Sequence, residues 1–410
     1  MKIIPCVVGL GYVGLPALIK ISKKFDAYGF DINPERIKSL KKKYDSNKEF
    51  SKKELYFIKT KNLKNKFEEI KKCNFFIVCV PTPIKKNKHP DLKPLILACK
   101  NLGRVLKKED TIVFESTVYP GVTEDVCIPI LEKESLLRYK KKDFSVCYSP
   151  ERINPGDKNH SIDKINKLIA IPNQNVRKNV LTVYKNLSRK IFVSQKIKET
   201  ETSKVIENIQ RDLNIALMNE VYIFCEKLNL DFYDVLKQAK TKWNFGGYLP
   251  GLVGGHCLPV DPYYFSYIAK KNKLKARVTL AGRSTNEYMR YFTISLIKKK
   301  LKTNKINLFS DKIIFAGLSY KKNVSDLRNS QAFKIFEYFS KKNKKVRATD
   351  PFLLNNKSKK IINPENILNK EKNIKCIVLL VDHSYFKKIL KKINKEIKII
   401  NLFNFYEKNN

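Results

Sequence analysis

The sequence of 410 residues predicts an α/β protein in which two Rossmann-like α/β domains flank a helical middle domain with a long spine helix. Three observations predict it. Short apolar runs alternate with longer amphipathic ones in the first half, the rhythm of βαβ units around a parallel sheet. Helical periodicity takes over from about Thr200 to Leu301. The β rhythm then returns from Lys312. The expected division is 1–199, 200–301 and 302–410.

In chain order, the candidate strands of the first part are Ile3–Val8, Ala27–Phe30, Phe75–Val80, Thr111–Phe114 and Phe144–Tyr148. Val13–Ser22, Pro34–Lys42 and Leu92–Leu106 read as helices between them. Glu201–Leu228 is the longest periodic stretch, with Val205, Ile206, Ile209, Leu213, Ala216 and Leu217 at helical spacing. It is the expected spine. A Gly/Pro-rich loop, Asn244–Pro262, interrupts the helical part, and a Lys/Asn-rich stretch, Lys298–Asn307, marks the expected join. Lys312–Leu318, Lys345–Thr349, Ile374–Val381 and Ile397–Leu402 read as the strands of the last part. The two α/β ends look similar in kind only.

Lysine and arginine number 83 against 39 acidic residues, a formal charge of +44. The excess is nearly all lysine, spread from Lys20 to Lys408 without an aromatic–basic platform. It reads as a solvated surface that helps gather an anionic substrate, and no nucleic-acid partner is expected. Nine cysteines, an odd number lying mostly in apolar runs, suit reduced buried thiols in the cytoplasm. Their spacing gives no support to a metal site. Ile3–Ile19 is uncharged but short and carries three glycines and two prolines, so no membrane association is expected.

Four constellations carry chemistry. Gly9-Leu10-Gly11-Tyr12-Val13-Gly14 follows a strand and opens a helix. Gly9 permits the turn, Gly11 lets a pyrophosphate approach, and Gly14 allows helix–strand packing. Asp31 ends the second strand twenty residues after Gly11, where a carboxylate binds ribose hydroxyls and repels a 2′-phosphate. That favours NAD over NADP; the alternative is a Rossmann-like turn that binds nothing. Second, Cys257 lies in Gly254-Gly255-His256-Cys257 with Asp261 four residues on: either a nucleophile with an orienting acid, or a structural cysteine in a turn. His256 is open to the same two readings. Third, Lys204 and Asn208 share a helix face and suit an oxyanion, or else form part of a polar stripe with a Glu207–Arg211 pair. Fourth, Pro81-Thr82-Pro83, Glu115-Ser116-Thr117 and Ser149-Pro150-Glu151-Arg152 end presumed strands, where open parallel sheets bind ligands and where turns also favour such residues.

Taken together, the chain resembles the UDP-glucose/UDP-hexosamine 6-dehydrogenase family over nearly its whole length. The resemblance is carried by Gly9–Pro16, Phe30–Asn33, Glu115–Gly121, Tyr148–Lys158, Lys204–Glu220, Pro250–Tyr264, Ala281–Met289, Gly317–Lys321 and Ser325–Ser330. It implies a four-electron oxidation of the sugar C6 alcohol by two NAD, through a thioester on Cys257. Lys204 and Asn208 are then oxyanion stabilisers and Asp261 a water-orienting or thiol-tuning acid, while Thr117 and Glu151 assist proton movement. The implied cofactor contacts are Gly9, Gly11, Tyr12, Val13, Gly14, Asp31, Arg36, Pro81, Thr82, Thr117 and Arg328. The implied contacts of the UDP-sugar are Glu151, Arg152, Lys204, Asn208, Arg211, Gly254, Arg283 and Lys321. A homodimer through the spine helix is implied as well.

Pro155 stands where UDP-glucose enzymes of the family carry a second glutamate, so the chain is more similar to those acting on UDP-N-acetylhexosamines. Lys204–Glu220 most resembles the UDP-N-acetylglucosamine branch that feeds surface polysaccharide. The N-acetylmannosamine and N-acetylgalactosamine epimers and UDP-glucose stay open, as does a two-electron hydroxyacid dehydrogenase. Ile400-Asn401-Leu402 departs from the family's usual aspartate, basic residue and glycine.

Overall fold

The structure, a computed structural model, describes residues 2–47, 49–152, 164–353, 360–369 and 371–405. The stretch from Ile153 to Lys158, with Pro155, lies outside them. The chain divides into two compact units, 1–207 with 263–274, and 208–262 with 275–410.

Among the described residues, the first unit contains an eight-stranded sheet. Its strands are β1 (Pro5–Val8), β2 (Tyr28–Phe30), β3 (Leu63–Lys64), β4 (Phe75–Val78), β5 (Thr111–Phe114), β6 (Ser145–Tyr148), β7 (Lys167–Ala170) and β8 (Ile191–Ser194). Their order is β3-β2-β1-β4-β5-β6-β7-β8, the doubly wound arrangement expected from the sequence. β1, β4, β5 and β6 are buried at every position, because helices cover both faces of a parallel sheet. That is why they read as continuous apolar runs. Neighbours are parallel except β6 and β7, which meet antiparallel at Tyr148 and Ala170. β3, β7 and β8 escape the sequence reading: β3 is two residues long, and β8 is only partly buried.

Local chemistry sets the helix starts. Asn33 accepts the Glu35 N–H at 3.0 Å and Pro34 supplies a preset first turn, a cap worth about 1 kcal/mol. Ser51 and Glu54 close a reciprocal capping box. The spine helix runs Ile197–Leu228, 32 residues.

The second unit carries a five-stranded parallel sheet among its described residues. Its strands are β9 (Lys312–Ala316), β10 (Arg347–Thr349), β11 (Ile361–Ile362), β12 (Ile374–Leu379) and β13 (Lys398–Asn401), in the order β11-β10-β9-β12-β13. Met218, Tyr222 and Cys225 of the spine share a buried cluster with Phe315 of β9 and Val378 of β12. The Tyr222 hydroxyl donates to the Leu402 carbonyl at 2.7 Å, pinning the end of the last strand. The stretch expected as a join is different. The helix Arg277–Thr303 runs through its first half. Lysine is a good helix former, and Lys300 and Lys302 in the last turn suit the negative end of the helix.

Candidate functional site

The first unit builds a dinucleotide-type turn. Gly9 has φ +93°, and its N–H donates to the Phe30 carbonyl at 2.8 Å. A Cβ on Gly14 would lie 1.8 Å from the Gly9 carbonyl oxygen, whereas one on Gly11 would meet open space. No side chain caps the helix Gly14–Ile21 that follows Val13, so its first turn presents backbone donors to an anion. Asp31 Oδ2 accepts the Leu10 N–H at 2.8 Å and Oδ1 the Asn33 N–H at 2.9 Å. Each oxygen keeps a second lone pair for a ribose hydroxyl. These residues fit a dinucleotide. Tyr12 and Val13 are half-buried beside Gly11. Arg36 is buried under the turn: Nε donates to the Leu10 carbonyl at 2.9 Å, and Nη1 pairs with Asp45 at 2.7 Å.

The rims of β4 and β5 are tied together. The Thr82 hydroxyl donates to the Thr117 carbonyl at 2.6 Å, the Ser116 hydroxyl donates to the Val80 carbonyl at 2.7 Å, and the Tyr264 hydroxyl donates to the Thr82 carbonyl. Pro81 is exposed beside them and Thr117 half-buried. Beyond β6, Glu151 is buried and accepts from Lys167 Nζ at 2.8 Å. Arg152 pairs with Glu207, so the Glu207–Arg211 pair considered for the spine gives way to a partner from another element. Lys204 is buried on the spine, one turn before Asn208. Arg211 is exposed.

The second unit builds the cysteine loop. All nine cysteines are free thiols, and Cys257 is the exposed one. Its carbonyl accepts the Asp261 N–H at 2.9 Å, so it lies one turn before the helix Asp261–Lys271. Buried Asp261 accepts from the Asn208 carboxamide. Two glycines are needed ahead of His256. Gly255 has φ +86° with the Tyr320 ring 2.7 Å from where a Cβ would stand, and a Cβ on Gly254 would stand 2.9 Å from Tyr320 Cβ. The Gly255 N–H donates to the Arg328 carbonyl at 3.1 Å, and Asn329 Nδ2 donates to the Gly255 carbonyl at 2.9 Å.

The Arg328 side chain pairs with Asp326 at 2.6 Å, and that guanidinium outweighs burial to hold the Asp326 carboxyl below its usual range. Lys321 is half-buried on the same turn. Arg283 is buried and bonds Asp212 of the spine at 2.6 Å, tying two helices.

The structure thus groups the glycine turn with Asp31, Thr82 with Thr117, and Asn208 with Asp261. It sets Arg36 and Arg283 in buried ion pairs. Sequence reasoning missed Lys167, Tyr320, Asn329 and the buried Asp350–His383 pair. Lys167 left a trace as a lone lysine heading an apolar run, and Tyr320 and Asn329 lie in stretches that carried the resemblance without being named as site residues.

Sequence profiles of one family match almost end to end. The UDP-glucose/GDP-mannose dehydrogenase NAD binding domain matches residues 1–188, the central domain 198–288 and the UDP binding domain 314–408. The chain belongs to the UDP-glucose/GDP-mannose dehydrogenase family. Its cofactor is NAD, in agreement with the fit of the glycine turn.

UDP-N-acetyl-D-glucosamine 6-dehydrogenase of Pseudomonas aeruginosa is 43% identical over 85% of this chain and 82% of its own. The Salmonella typhi enzyme of the same name is 40% identical over 93% and 90%. Among solved structures, the UDP-D-ManNAc dehydrogenase of Pyrococcus horikoshii is 28% identical with a TM-score of 0.84, covering 99% of this chain and 96% of that one. The family's expected architecture is therefore the observed one, two Rossmann-like sheets with a helical middle. Among the described residues no helix is long and apolar enough to cross a membrane.

Proposed function

We propose that this dehydrogenase oxidises a UDP-N-acetylhexosamine, UDP-N-acetylglucosamine first, at C6 to the uronic acid for surface polysaccharide. The observation that carries the reading is Cys257, the exposed thiol among nine cysteines, one turn before buried Asp261, which accepts from the half-buried Asn208 carboxamide. The relatives named UDP-N-acetyl-D-glucosamine 6-dehydrogenase support the choice of sugar. Held at the turn of Gly9, Gly11 and Gly14 with Asp31, NAD would supply the hydride acceptor for both oxidation stages.

In this reading Thr117 and Glu151 handle the proton of the C6 hydroxyl. Cys257 adds as thiolate to the aldehyde, giving a thiohemiacetal and then a thioester that water cleaves. The Lys204 ammonium and Asn208 carboxamide stabilise the successive oxyanions. Asp261, bonded to Asn208, holds that carboxamide and orients the hydrolytic water. Gly9, Gly11, Tyr12, Val13, Gly14, Asp31, Arg36, Pro81, Thr82 and Arg328 serve the cofactor. Arg152, Arg211, Gly254, Arg283 and Lys321 serve the UDP-sugar.

The segments 1–199, 200–301 and 302–410 carry cofactor, cysteine loop and UDP respectively, a division supported by the three matched stretches. A homodimer is part of the same reading. Ile206, Leu217, Phe224 and Leu228 form an exposed apolar stripe on the spine helix, suited to a second copy. The reduced thiols suit the cytoplasm.

NADH yield on a panel of UDP-sugars tests the reading. Two NADH per sugar with N-acetylated substrates are expected, and Cys257→Ala is expected to form no uronate while still binding UDP-sugar. One NADH per sugar, preference for UDP-glucose, or undiminished Cys257→Ala turnover defeats it.

A further inference from the structure

A lysine is walled in beneath the C-terminal rim of the first sheet. Lys167, Glu115 and Tyr184 are buried almost completely, and Glu151 is 8% exposed. Lys167 Nζ donates to Glu151 Oε2 at 2.8 Å and to Glu115 Oε2 at 3.2 Å. The Tyr184 hydroxyl donates to Glu115 Oε1 at 2.8 Å, and Cys79 Sγ lies 4.0 Å from Glu115 Oε2.

Topology explains how Lys167 reaches the rim. It is the first residue of β7, and in a wholly parallel sheet a strand's first residue lies at the opposite edge. β7 runs antiparallel to β6, with Tyr148 opposite Ala170. Continuing that register outward on both strands sets Lys167 opposite Glu151. The one reversal in the sheet delivers a cation to the edge where open α/β sheets bind their ligands.

Charge makes the placement specific. Burial alone would push the Lys167 ammonium down, but Glu115 and Glu151 together lift it above its usual range. Burial pushes the Glu115 carboxyl up, against the pull of Lys167. Lys167 is thus a fixed positive charge, and Glu115 holds its proton above the normal carboxylate range. Among the described residues, the groups around Glu151 include Lys167 from β7, Glu115 from the end of β5 with Tyr184 and Cys79 behind it, and Arg152, which pairs with Glu207 of the spine.

We propose that Lys167 is a positioning residue for the reaction: it fixes Glu151 as an oriented carboxylate where the substrate hydroxyl and the hydrolytic water are handled. The claim rests on the role given to Glu151 above. An oriented carboxylate takes up the proton that the substrate hydroxyl gives up, so loss of the clamp is read in kcat and in the pH–rate profile.

The test uses the full chain with NAD and UDP-N-acetylglucosamine. Lys167→Met is expected to lower kcat about 100-fold with both KM values within about threefold, and to move the acid limb up by more than about one pH unit. Lys167→Arg is expected to recover about tenfold of that loss, because it restores the charge. Glu115→Gln leaves Lys167 to pair with Glu151 alone and is expected to move the acid limb the other way, to lower pH. Unchanged kcat and acid limb in Lys167→Met overturn the proposal. If that variant does not fold, coincident acid limbs in Lys167→Arg, Glu115→Gln and the parent overturn it instead.

Should the parent oxidise no UDP-sugar, the functional reading fails separately and infrared spectroscopy decides the clamp. Lys167→Met is expected to show a shift in the carboxylate stretch that Glu151→Gln deletes from the parent. Its absence overturns the proposal.

Discussion

The first turns of the two sheets share a backbone plan and differ in what stands over the acid. In the first, Gly9 has φ +93°, its N–H donates to Phe30, and Asp31 Oδ2 accepts from Leu10 N at 2.8 Å. In the second, Gly317 has φ +89°, its N–H donates to Thr349, and Asp350 Oδ2 accepts from Leu318 N at 2.8 Å. Gly-Leu-Gly-Tyr-Val-Gly thus has a counterpart in Gly317-Leu318-Ser319-Tyr320-Lys321-Lys322.

The strand orders correspond as well, β3-β2-β1-β4-β5 against β11-β10-β9-β12-β13. Asp31, however, is half-open, whereas Asp350 is wholly buried. His383 Nε2 lies 3.1 Å from both Asp350 Oδ2 and Ser319 Oγ, with Phe352 and Phe386 packed around the ring. Since His383 Nδ1 accepts the Asn323 N–H at 2.9 Å, the ring's proton sits on Nε2. The imidazole meets Asp350 Oδ2, the counterpart of the Asp31 oxygen that keeps a lone pair for a ribose hydroxyl. One plan gives a dinucleotide turn when left open, and a rigid loop carrying Lys321 when plugged.

Three substitutions sharpen or break this comparison. Gly14→Ala has the largest expected effect, since its Cβ would stand 1.8 Å from a backbone oxygen. A loss of about 3 kcal/mol in stability and at least about 100-fold in NAD affinity is expected by thermal melts and calorimetry, with UDP binding kept. Retained NAD affinity would show that the turn does not need the close approach.

His383→Ala comes next. It leaves Asp350 buried with fewer donors, for about 2–3 kcal/mol of lost stability and weaker UDP binding, with NAD binding intact. Although burial works to raise the Asp350 carboxyl, His383 and the backbone N–H groups hold it below its usual range. A depressed carboxyl contributes stability that is full above the unfolded value of about 4 and is lost as pH falls through the folded one. The gap in stability between parent and variant is therefore expected to narrow in melts taken below about pH 4. A gap that is constant with pH would mean that Asp350 is not held by the ring.

Asp31→Asn has the smallest expected effect: about a tenfold fall in kcat/KM for NAD, with less discrimination against NADP. An unchanged NAD/NADP ratio would remove Asp31 from cofactor selection.

Legibility in the sequence followed burial and locality. β1, β4, β5 and β6 announced themselves because burial on both faces demands apolar residues at consecutive positions, broken only by Thr111 and Ser145 at the starts of β5 and β6. The glycine turn and Asp31 were legible because each glycine answers a local steric demand. Cys257 was legible as a cysteine outside any apolar run.

The reversal of β7 was not, since antiparallel pairing is decided by partners remote in sequence, and with it went the Lys167–Glu115–Glu151 cluster. The likeness of the second turn was hidden because Ser319 and Lys322 replace Gly11 and Gly14. Arg36 and Arg283 suggested ligand contacts, whereas their buried partners Asp45 and Asp212 become visible only in three dimensions.

The distribution of sulfur has one practical consequence. Of nine thiols Cys257 is the exposed one, Cys79 is half-buried and the other seven are buried, so an alkylating reagent or peroxide reaching the folded chain meets Cys257 first. Oxidative damage and covalent modification would then begin at that atom, and the first mass added per chain would report on the Gly254–Cys257 loop.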